Sequence, residues 1–181
     1  MSRGWLYYLM VPLLALGALF QSAAGNRLAV AGVKPDVVLV LVIVGTLLYG
    51  GRIGLFWAFV GGLFLDIFSG GPLGSSSLAL MASTVVAAFG HNTFSRFNPL
   101  VPLTTMALGT LVYGFTYLVV LTAFSGVAAA LNLETIPHQL PLEATFLAVI
   151  LPSMAYNTTL MLVLVPFLNR VPETPETVST L

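Results

Sequence analysis

The sequence contains no cysteine and almost no charge. Without cysteine, the 181-residue chain can form no disulfide, no thiolate metal site and no cysteine nucleophile. Only 7% of its residues are charged, whereas a soluble domain carries about 25%. So few charges cannot cover a water-facing surface. The sequence therefore predicts an integral membrane protein that contacts the lipid bilayer over most of its length, with no separate soluble domain.

The polar residues that remain form no recognisable catalytic set. The net charge is zero and the basic residues are scattered singly, which argues against nucleic acid as a partner. The serines at 75–77 and His91 are predicted to lie at opposite ends of one helix, roughly 20 Å apart. That distance excludes a catalytic dyad, and His91 is predicted to be a solvated loop residue. We expect no catalytic residue, no metal and no cofactor, and predict that the protein is not an enzyme.

Apolar segments dominate the chain. A helix needs about 20 apolar residues to cross the hydrocarbon core. The sequence predicts an all-α, polytopic membrane protein with six transmembrane helices at residues 5–24, 37–50, 53–68, 75–89, 100–124 and 140–168. The second, third and fourth are short, and either extend into flanking Gly and Ser residues or are partly re-entrant. Residues 1–170 are predicted to form a single six-helix transmembrane domain, and residues 171–181 a short polar cytoplasmic tail.

The densest glycine run lies between residues 50 and 74. Small residues recur there every four positions and are followed by a carboxylate, in the order Gly50, Gly54, Ala58, Gly62 and Asp66. On a helix this spacing gives one stripe, and small residues four apart are typical of helix–helix contacts in membranes. The large side chains are expected elsewhere on the helix, against lipid or in looser packing: Phe56, Trp57, Phe59, Phe64 and Leu65. Packing alone does not explain Asp66, because a carboxylate near hydrocarbon is costly and normally has a partner or a function.

Orientation follows from the basic residues of the short loops. If the chain crosses the membrane six times, four basic residues lie on one side of the membrane and two on the other. The four are Arg3, Arg52, Arg96 and Arg170, and the two are Arg27 and Lys34. This excess predicts that both termini are cytoplasmic. Asp66 then lies near the outer face, where it either pairs with Lys34 or Arg27 or accepts hydrogen bonds from the turn at 69–74.

One stretch resembles a known family. Its residues are Pro35-Asp36 before an apolar helix, Gly54, Gly61-Gly62-Leu63, Asp66 and Leu73-Gly74. This pattern is similar to that of the rod shape-determining protein MreD family, and the chain length and the six apolar segments are similar as well. The resemblance implies a bacterial inner-membrane, multi-pass protein of the cell-elongation and peptidoglycan-synthesis machinery. It also implies binding to the bitopic protein MreC and, through MreC, to the RodA glycosyltransferase and its class B penicillin-binding transpeptidase. The implied fold resembles the substrate-binding subunits of energy-coupling-factor transporters.

Two functions of different classes follow. The first is a non-enzymatic membrane scaffold that binds another protein, and the second is a subunit that binds or transports a vitamin-like small molecule. A small-molecule pocket needs several convergent polar groups, and the candidates near the outer face are sparse. We therefore favour the scaffold. Asp66, Lys34 and Asp36 are the candidates for a structural or partner-binding polar role, while Gly50, Gly54, Ala58 and Gly62 are the candidates for helix packing.

Overall fold

The computed structural model describes residues 4–24, 34–93, 98–131 and 145–168, and these parts of the chain form six helices. They are α1 (Gly4–Ala24), α2 (Val37–Tyr49), α3 (Gly51–Ser69), α4 (Ser75–Thr93), α5 (Leu100–Ala130) and α6, which starts as a π-helical turn (Phe146–Ile150) and continues as an α-helix (Leu151–Leu168). The predicted all-α class is confirmed. The predicted tail at 171–181 and Arg27 lie outside the described residues.

The helices have the lengths and compositions of a membrane protein. Three described stretches are long and apolar enough to cross a membrane, namely Gly51–Ser69, Leu100–Val127 and Phe146–Phe167. The other three are apolar but shorter, namely Tyr8–Ala23, Val37–Tyr49 and Ser75–His91. The shortest is α2, whose 13 residues rise only about 20 Å, less than a hydrocarbon core of about 30 Å.

Helix α2 is the centre of the bundle. It contacts all five other helices, which follow one another around it in the order α1, α3, α4, α5 and α6. Most of its Val, Leu and Ile side chains are buried, and with Leu14 of α1 and Met161 of α6 they form one continuous apolar core. A short helix surrounded in this way is apolar on nearly every side, which is why no helical periodicity is visible in its sequence.

The junction between α2 and α3 is a single residue. Gly50 ends α2 and begins α3 with a φ of 89°, a left-handed conformation that glycine adopts without steric cost. The predicted helices at 37–50 and 53–68 left two residues between them, whereas in the structure Gly51 and Arg52 already belong to α3. Gly50 lies at this junction, whereas Gly54, Ala58 and Gly62 lie within α3 and are buried.

Glycines of α3 allow its neighbours to approach closely. A Cβ atom on Gly62 would overlap the backbone of Ser77 in α4, and one on Gly54 would overlap the side chain of Thr46 in α2. The Ser77 hydroxyl donates a hydrogen bond to the Phe59 carbonyl at 3.0 Å. Helix α3 thus packs against two helices through positions that have no side chain, as small residues do in membrane helix contacts.

Two large side chains of α3 are buried, contrary to the prediction. Trp57 is only 2% exposed and Leu65 is 7% exposed. The Trp57 ring lies where a Cβ on Gly45 of α2 would be, with 2.7 Å between that position and the nearest ring atom, and it meets the Tyr49 ring edge to face at 5.5 Å. The glycine that makes room for Trp57 is on a different helix, so the α3 sequence alone gave no sign of it.

Helices α4 and α5 are longer than predicted. The expected end of α4 at 89 is wrong, since the helix continues to Thr93 and includes His91. Helix α5 continues to Ala130 instead of ending at 124. In α6 the π-helical turn comes directly before Leu151 and Pro152. Proline lacks an N–H and its ring crowds the carbonyl four residues earlier, so a wider turn at this point is a normal accommodation. Residues 140–144 of the sixth predicted helix lie outside the described range.

The glycine contacts predict a sharp difference between two Gly→Ala substitutions. Gly62→Ala should lower stability by about 1–3 kcal/mol, because the added methyl group meets backbone atoms of α4 that cannot rotate away. Gly126→Ala in α5 is the matched control, since nothing lies within 4 Å of its Cβ position. The control should be neutral or slightly stabilising through helix propensity. The measurement is thermal unfolding in detergent, and equal melting temperatures for the two variants would contradict the packing role of Gly62.

Candidate functional site

Polar side chains are concentrated at one end of the bundle, which we call the polar end. It contains the C-terminus of α1, the start of α2, and the turn between α3 and α4. The hydroxyl of Ser22 on α1 donates to the Phe68 carbonyl of α3 at 2.7 Å, which joins two of these elements. The two carboxylates of the described region, Asp36 and Asp66, both lie at this end.

The Asp66 carboxylate caps the N-terminus of α4. Its Oδ2 accepts the backbone N–H of Gly74 at 2.7 Å, and its Oδ1 accepts the N–H of Ser76 at 3.1 Å and the hydroxyl of Ser75 at 3.2 Å. The first N–H groups of a helix have no partner within the helix. Asp66 supplies that partner from a different helix, although only 1% of its surface is exposed.

The position of Asp66 within α3 makes this arrangement necessary. It lies in the last turn of α3, where a negative charge opposes the helix dipole. The N-terminus of α4 presents the opposite end of a dipole, and its N–H groups form charge-assisted bonds to the carboxylate. The favourable field of α4 therefore offsets the unfavourable field of α3 and the cost of burying the carboxylate.

Asp36 is bound by side chains from α1 and α6. Its Oδ1 accepts from Nε2 of Gln21 at 3.2 Å, and its Oδ2 accepts from Nδ2 of Asn157 at 3.0 Å. The backbone N–H of Asp36 donates to Oδ1 of Asn157 at 3.1 Å, and the N–H of Val38 donates to Oε1 of Gln21 at 3.3 Å. The two amide side chains thus bond to both oxygens of the carboxylate and to backbone N–H groups at the start of α2.

Asn157 is the most deeply buried member of this group. It is fully buried in the middle of α6, and its Nδ2 also lies 3.4 Å from the hydroxyl of Thr110 on α5. One amide side chain therefore connects α6 to the start of α2 and to α5. An unpaired amide at such a position would be strongly unfavourable, so Asp36 and Asn157 depend on each other.

Two tyrosines of α5 contribute to the polar end. Tyr113 lies near Ser76 of α4, and Tyr117 lies near Ser75. Their rings stack with 6.1 Å between the centroids. The polar end thus contains polar side chains from α1, α3, α4, α5 and α6 as well as Asp36 at the start of α2.

The opposite end of the bundle holds His91, and its predicted solvated loop is wrong. His91 is in the last turns of α4 and is half-buried. Its Nδ1 lies 2.7 Å from the carbonyl oxygen of Leu47, one of the carbonyls at the end of α2 that have no partner within the helix. His91 therefore connects the end of α2 to α4, close to the Gly50 junction.

The predicted site residues have different surroundings in the structure. Asp66 and Asp36 are each held by several hydrogen bonds, as described above. Lys34 is exposed, and the hydrogen-bond partners of the Asp66 carboxylate in the described part of the chain are Gly74, Ser75 and Ser76. Of the two bonding schemes expected for Asp66, the structure has the one with the turn and not the ion pair with Lys34.

Sequence reasoning missed the amide and hydroxyl partners. Gln21, Thr110 and Asn157 are single polar residues in long apolar segments. The signal that could have found them is their rarity, because a lone amide inside a membrane helix normally has a polar partner on another helix. No group of three or more His, Cys, Asp or Glu residues that could hold a metal ion occurs within the described ranges.

These features define a class of protein: an all-helical membrane protein whose buried polar groups bond to one another and to helix ends. The chain belongs to the family of rod shape-determining protein MreD, whose family model matches residues 2–171. The predicted family is thereby confirmed. No curated protein and no solved structure matches the chain. The family is a structural one of the cell-shape machinery, so this protein has a role in the determination of rod shape.

The cap on α4 predicts a graded response at position 66. Asp66→Leu should unfold at a lower temperature in detergent, because it leaves the buried N–H of Ser76 and the half-buried N–H of Gly74 without an acceptor, and a buried unpaired donor costs roughly 1–3 kcal/mol. Asp66→Asn keeps one acceptor oxygen and should lose about half as much. Ser75→Ala is the control, since it removes one hydroxyl and leaves both N–H bonds to Asp66 in place. Hydrogen exchange at the first turn of α4 should be slowest in Ser75→Ala, faster in Asp66→Asn and fastest in Asp66→Leu. Equal exchange rates in all three variants would contradict the role of Asp66 as a cap.

Proposed function

We propose that the protein is a non-enzymatic membrane scaffold of the bacterial cell-elongation machinery. It binds the transmembrane protein MreC and, through MreC, the RodA glycosyltransferase and its class B penicillin-binding transpeptidase. Membership of the MreD family supports a place in this machinery. A protein with such a role needs a rigid surface inside the membrane and no reactive groups.

The observation that favours a scaffold over a ligand-binding subunit is the inward pairing of the polar groups. A small-molecule site presents a few convergent polar groups to an open cavity. Here Asp66 is bound to the start of α4, and Asp36 is bound to Gln21 and Asn157. Each of these bonds stabilises the bundle itself. The alternative function, binding or transport of a vitamin-like molecule, would require these bonds to be exchanged for bonds to the ligand.

We also propose that the fold is similar to that of a known class of six-helix membrane proteins. The substrate-binding subunits of energy-coupling-factor transporters also have six helices, and we propose the same general shape for residues 1–170 as a single transmembrane domain. In this shape the polar end corresponds to the outer face. Residues 171–181 form a short polar tail in the cytoplasm.

We propose that the protein crosses the inner membrane several times, with both termini in the cytoplasm. The four-to-two distribution of basic residues supports this orientation. The turn between α3 and α4 is then on the outer side, and the α2–α3 junction with the exposed Arg52 is on the cytoplasmic side. The carboxylates of Asp36 and Asp66 do not count against this orientation, because acidic residues contribute little to the orientation of a protein in the membrane.

The site residues have the following proposed roles. Gly54, Ala58 and Gly62 allow α3 to pack closely on its neighbours, while Gly50 makes the sharp junction before it. Asp66 holds the α3–α4 hairpin in shape, and partner binding depends on it only through that shape. Asp36 holds the start of α2 against α1 and α6. Lys34 is the proposed partner-contacting member, because it is exposed and lies two residues before Asp36.

Co-purification tests the scaffold function directly. MreC co-expressed with the tagged protein should be recovered with it from detergent, and no small molecule should be released from the purified sample on denaturation. Asp66→Leu should lower the protein level and the recovery of MreC together. Recovery of a stoichiometric small molecule without MreC would contradict the scaffold and support the ligand-binding function. A stable, abundant Asp66→Leu protein that fails to bind MreC would instead make Asp66 a direct contact.

The orientation can be tested with single cysteines, because the wild-type chain has none and gives no background. Ser69→Cys and Asn98→Cys replace exposed residues at opposite ends of the bundle and leave every basic residue in place. A membrane-impermeant maleimide added to spheroplasts should label position 69, while position 98 should react only after permeabilisation. The reverse labelling pattern would overturn the proposed orientation.

A further inference from the structure

The ring of helices around α2 is open on one side in the described part of the chain. Helix α1 packs on α2 and α3, and α6 packs on α5 and more lightly on α2, but α1 and α6 share no extensive contact with each other. A helix surrounded by others of the same diameter, with axes 8–10 Å apart, has room for about six neighbours. Helix α2 has five, so one position remains, and it lies between α1 and α6.

The side of α2 that faces this position is recognisable from its exposure. Four of its apolar side chains are only half-buried, and they form what we call the open stripe: Val37, Leu41, Val44 and Leu48. Val37 and Leu41 form the edge of the stripe next to α1, where they lie against Gly17. Their spacing of four, three and four residues places them on one face of the helix. Apart from Tyr49, which packs on Trp57, the other residues of α2 are buried: Val38, Leu39, Val40, Val42, Ile43, Gly45, Thr46 and Leu47.

The open stripe ends at a polar group that spans the gap. Gln21 on α1 and Asn157 on α6 both bond to Asp36, so the two helices that flank the open position are connected only through this carboxylate among the contacts described above. Gln21 and Asp36 are half-buried. A carboxylate has about four acceptor positions, and these bonds use two of them. Asp36 can therefore accept a further bond from a donor that enters the gap.

We propose that one transmembrane helix of the partner protein fills this sixth position beside α2 and lies along the open stripe. The inference rests on the proposed function, in which the partner is MreC. The groove fits an apolar helix that carries a basic or hydroxyl side chain at the depth of Asp36. Such a donor complements the carboxylate, while the apolar remainder of the helix packs on Val44 and Leu48.

The shape of the surface distinguishes this occupant from a second copy of the chain. The open stripe is recessed between α1 and α6, so two copies related by a two-fold axis would place one groove opposite another. A concave surface is not complementary to a second copy of itself. A single helix is convex and is therefore complementary to the groove. A lipid chain could lie in the groove, but it would not be held at one register by the Asp36 carboxylate.

Site-specific photocrosslinking tests the position of the partner helix. A diazirine amino acid is introduced at Val44 or Leu48 in the open stripe, and at Leu108 or Phe115 on the exposed side of α5 as matched controls. After co-expression with MreC and irradiation, the two stripe positions should give a covalent product with MreC at roughly tenfold higher yield than the controls.

The outcomes separate the open stripe from the proposed function. If MreC co-purifies but crosslinks to the α5 controls and not to the stripe, the stripe is not the docking surface and the scaffold function stands. A covalent product between two copies of this chain, or no protein product at the stripe while MreC co-purifies, likewise overturns the inference. If MreC does not co-purify with the wild type, the proposed function fails, and the inference fails with it.

A second variant checks the result without a photoreactive group. Val44→Trp fills the groove and should lower MreC recovery about tenfold or more, because an inserted large side chain prevents close packing of the incoming helix. Leu108→Trp is the control and should leave recovery unchanged. Both variants should melt at the wild-type temperature in detergent. Unchanged MreC recovery with a well-folded Val44→Trp protein would overturn the docking position.

Discussion

The pairing of the Asp66 carboxylate with the N-terminus of α4 is the interaction on which the α3–α4 hairpin depends. In an apolar surrounding each unpaired N–H group costs several kcal/mol, and a buried carboxylate without partners costs more. The arrangement at Asp66 removes both problems at once, since the helix end supplies donors and a favourable dipole to the charge. The close contact of Gly62 with Ser77 depends on the same hairpin, because Ser77 follows directly after the capped residues. The Asp66 carboxylate, the turn between α3 and α4 and the contact of Gly62 with Ser77 thus form one structural unit.

The remainder of the bundle follows from the shortness of α2. A helix of about 20 Å does not reach across the hydrocarbon core by itself, so its ends must be satisfied by neighbours within the protein. At one end Gln21 and Asn157 bond to Asp36 and to the first N–H groups of α2. At the other end His91 lies against the Leu47 carbonyl. These three polar residues come from α1, α6 and α4, which explains why α2 is held at the centre even though its sequence is almost entirely apolar.

The sequence predicted the class, the family and the approximate helices, because apolar length and glycine spacing are local properties. The regular spacing of Gly54, Ala58 and Gly62 defines one face of α3, because a four-residue period places side chains on the same side of a helix, and all three residues are buried. The bonds of Asp66 to the following turn were among the expected alternatives, because turn and carboxylate are close in the chain. Asn157 was missed, since its partner Asp36 is 121 positions away and nothing local connects the two. Trp57 and His91 were misjudged for the same reason: each is accommodated by a residue on another helix.

The distribution of these contacts gives the molecule two sides with different character. Helices α3 and α4 are joined to each other by the Asp66 cap and the Gly62 contact, and to α2 through Gly54 and His91. Helix α6 is joined to α2 chiefly by the Asp36–Asn157 pair, and α1 meets α2 where Gly17 lies against Leu41. The proposed docking surface, the half-buried stripe of α2, lies between these two sides, while the fully buried face behind it is fixed by glycine contacts and helix caps. The polar residues of the described region therefore bond mainly to the protein's own backbone and to one another, and they hold the helices in a fixed arrangement around α2.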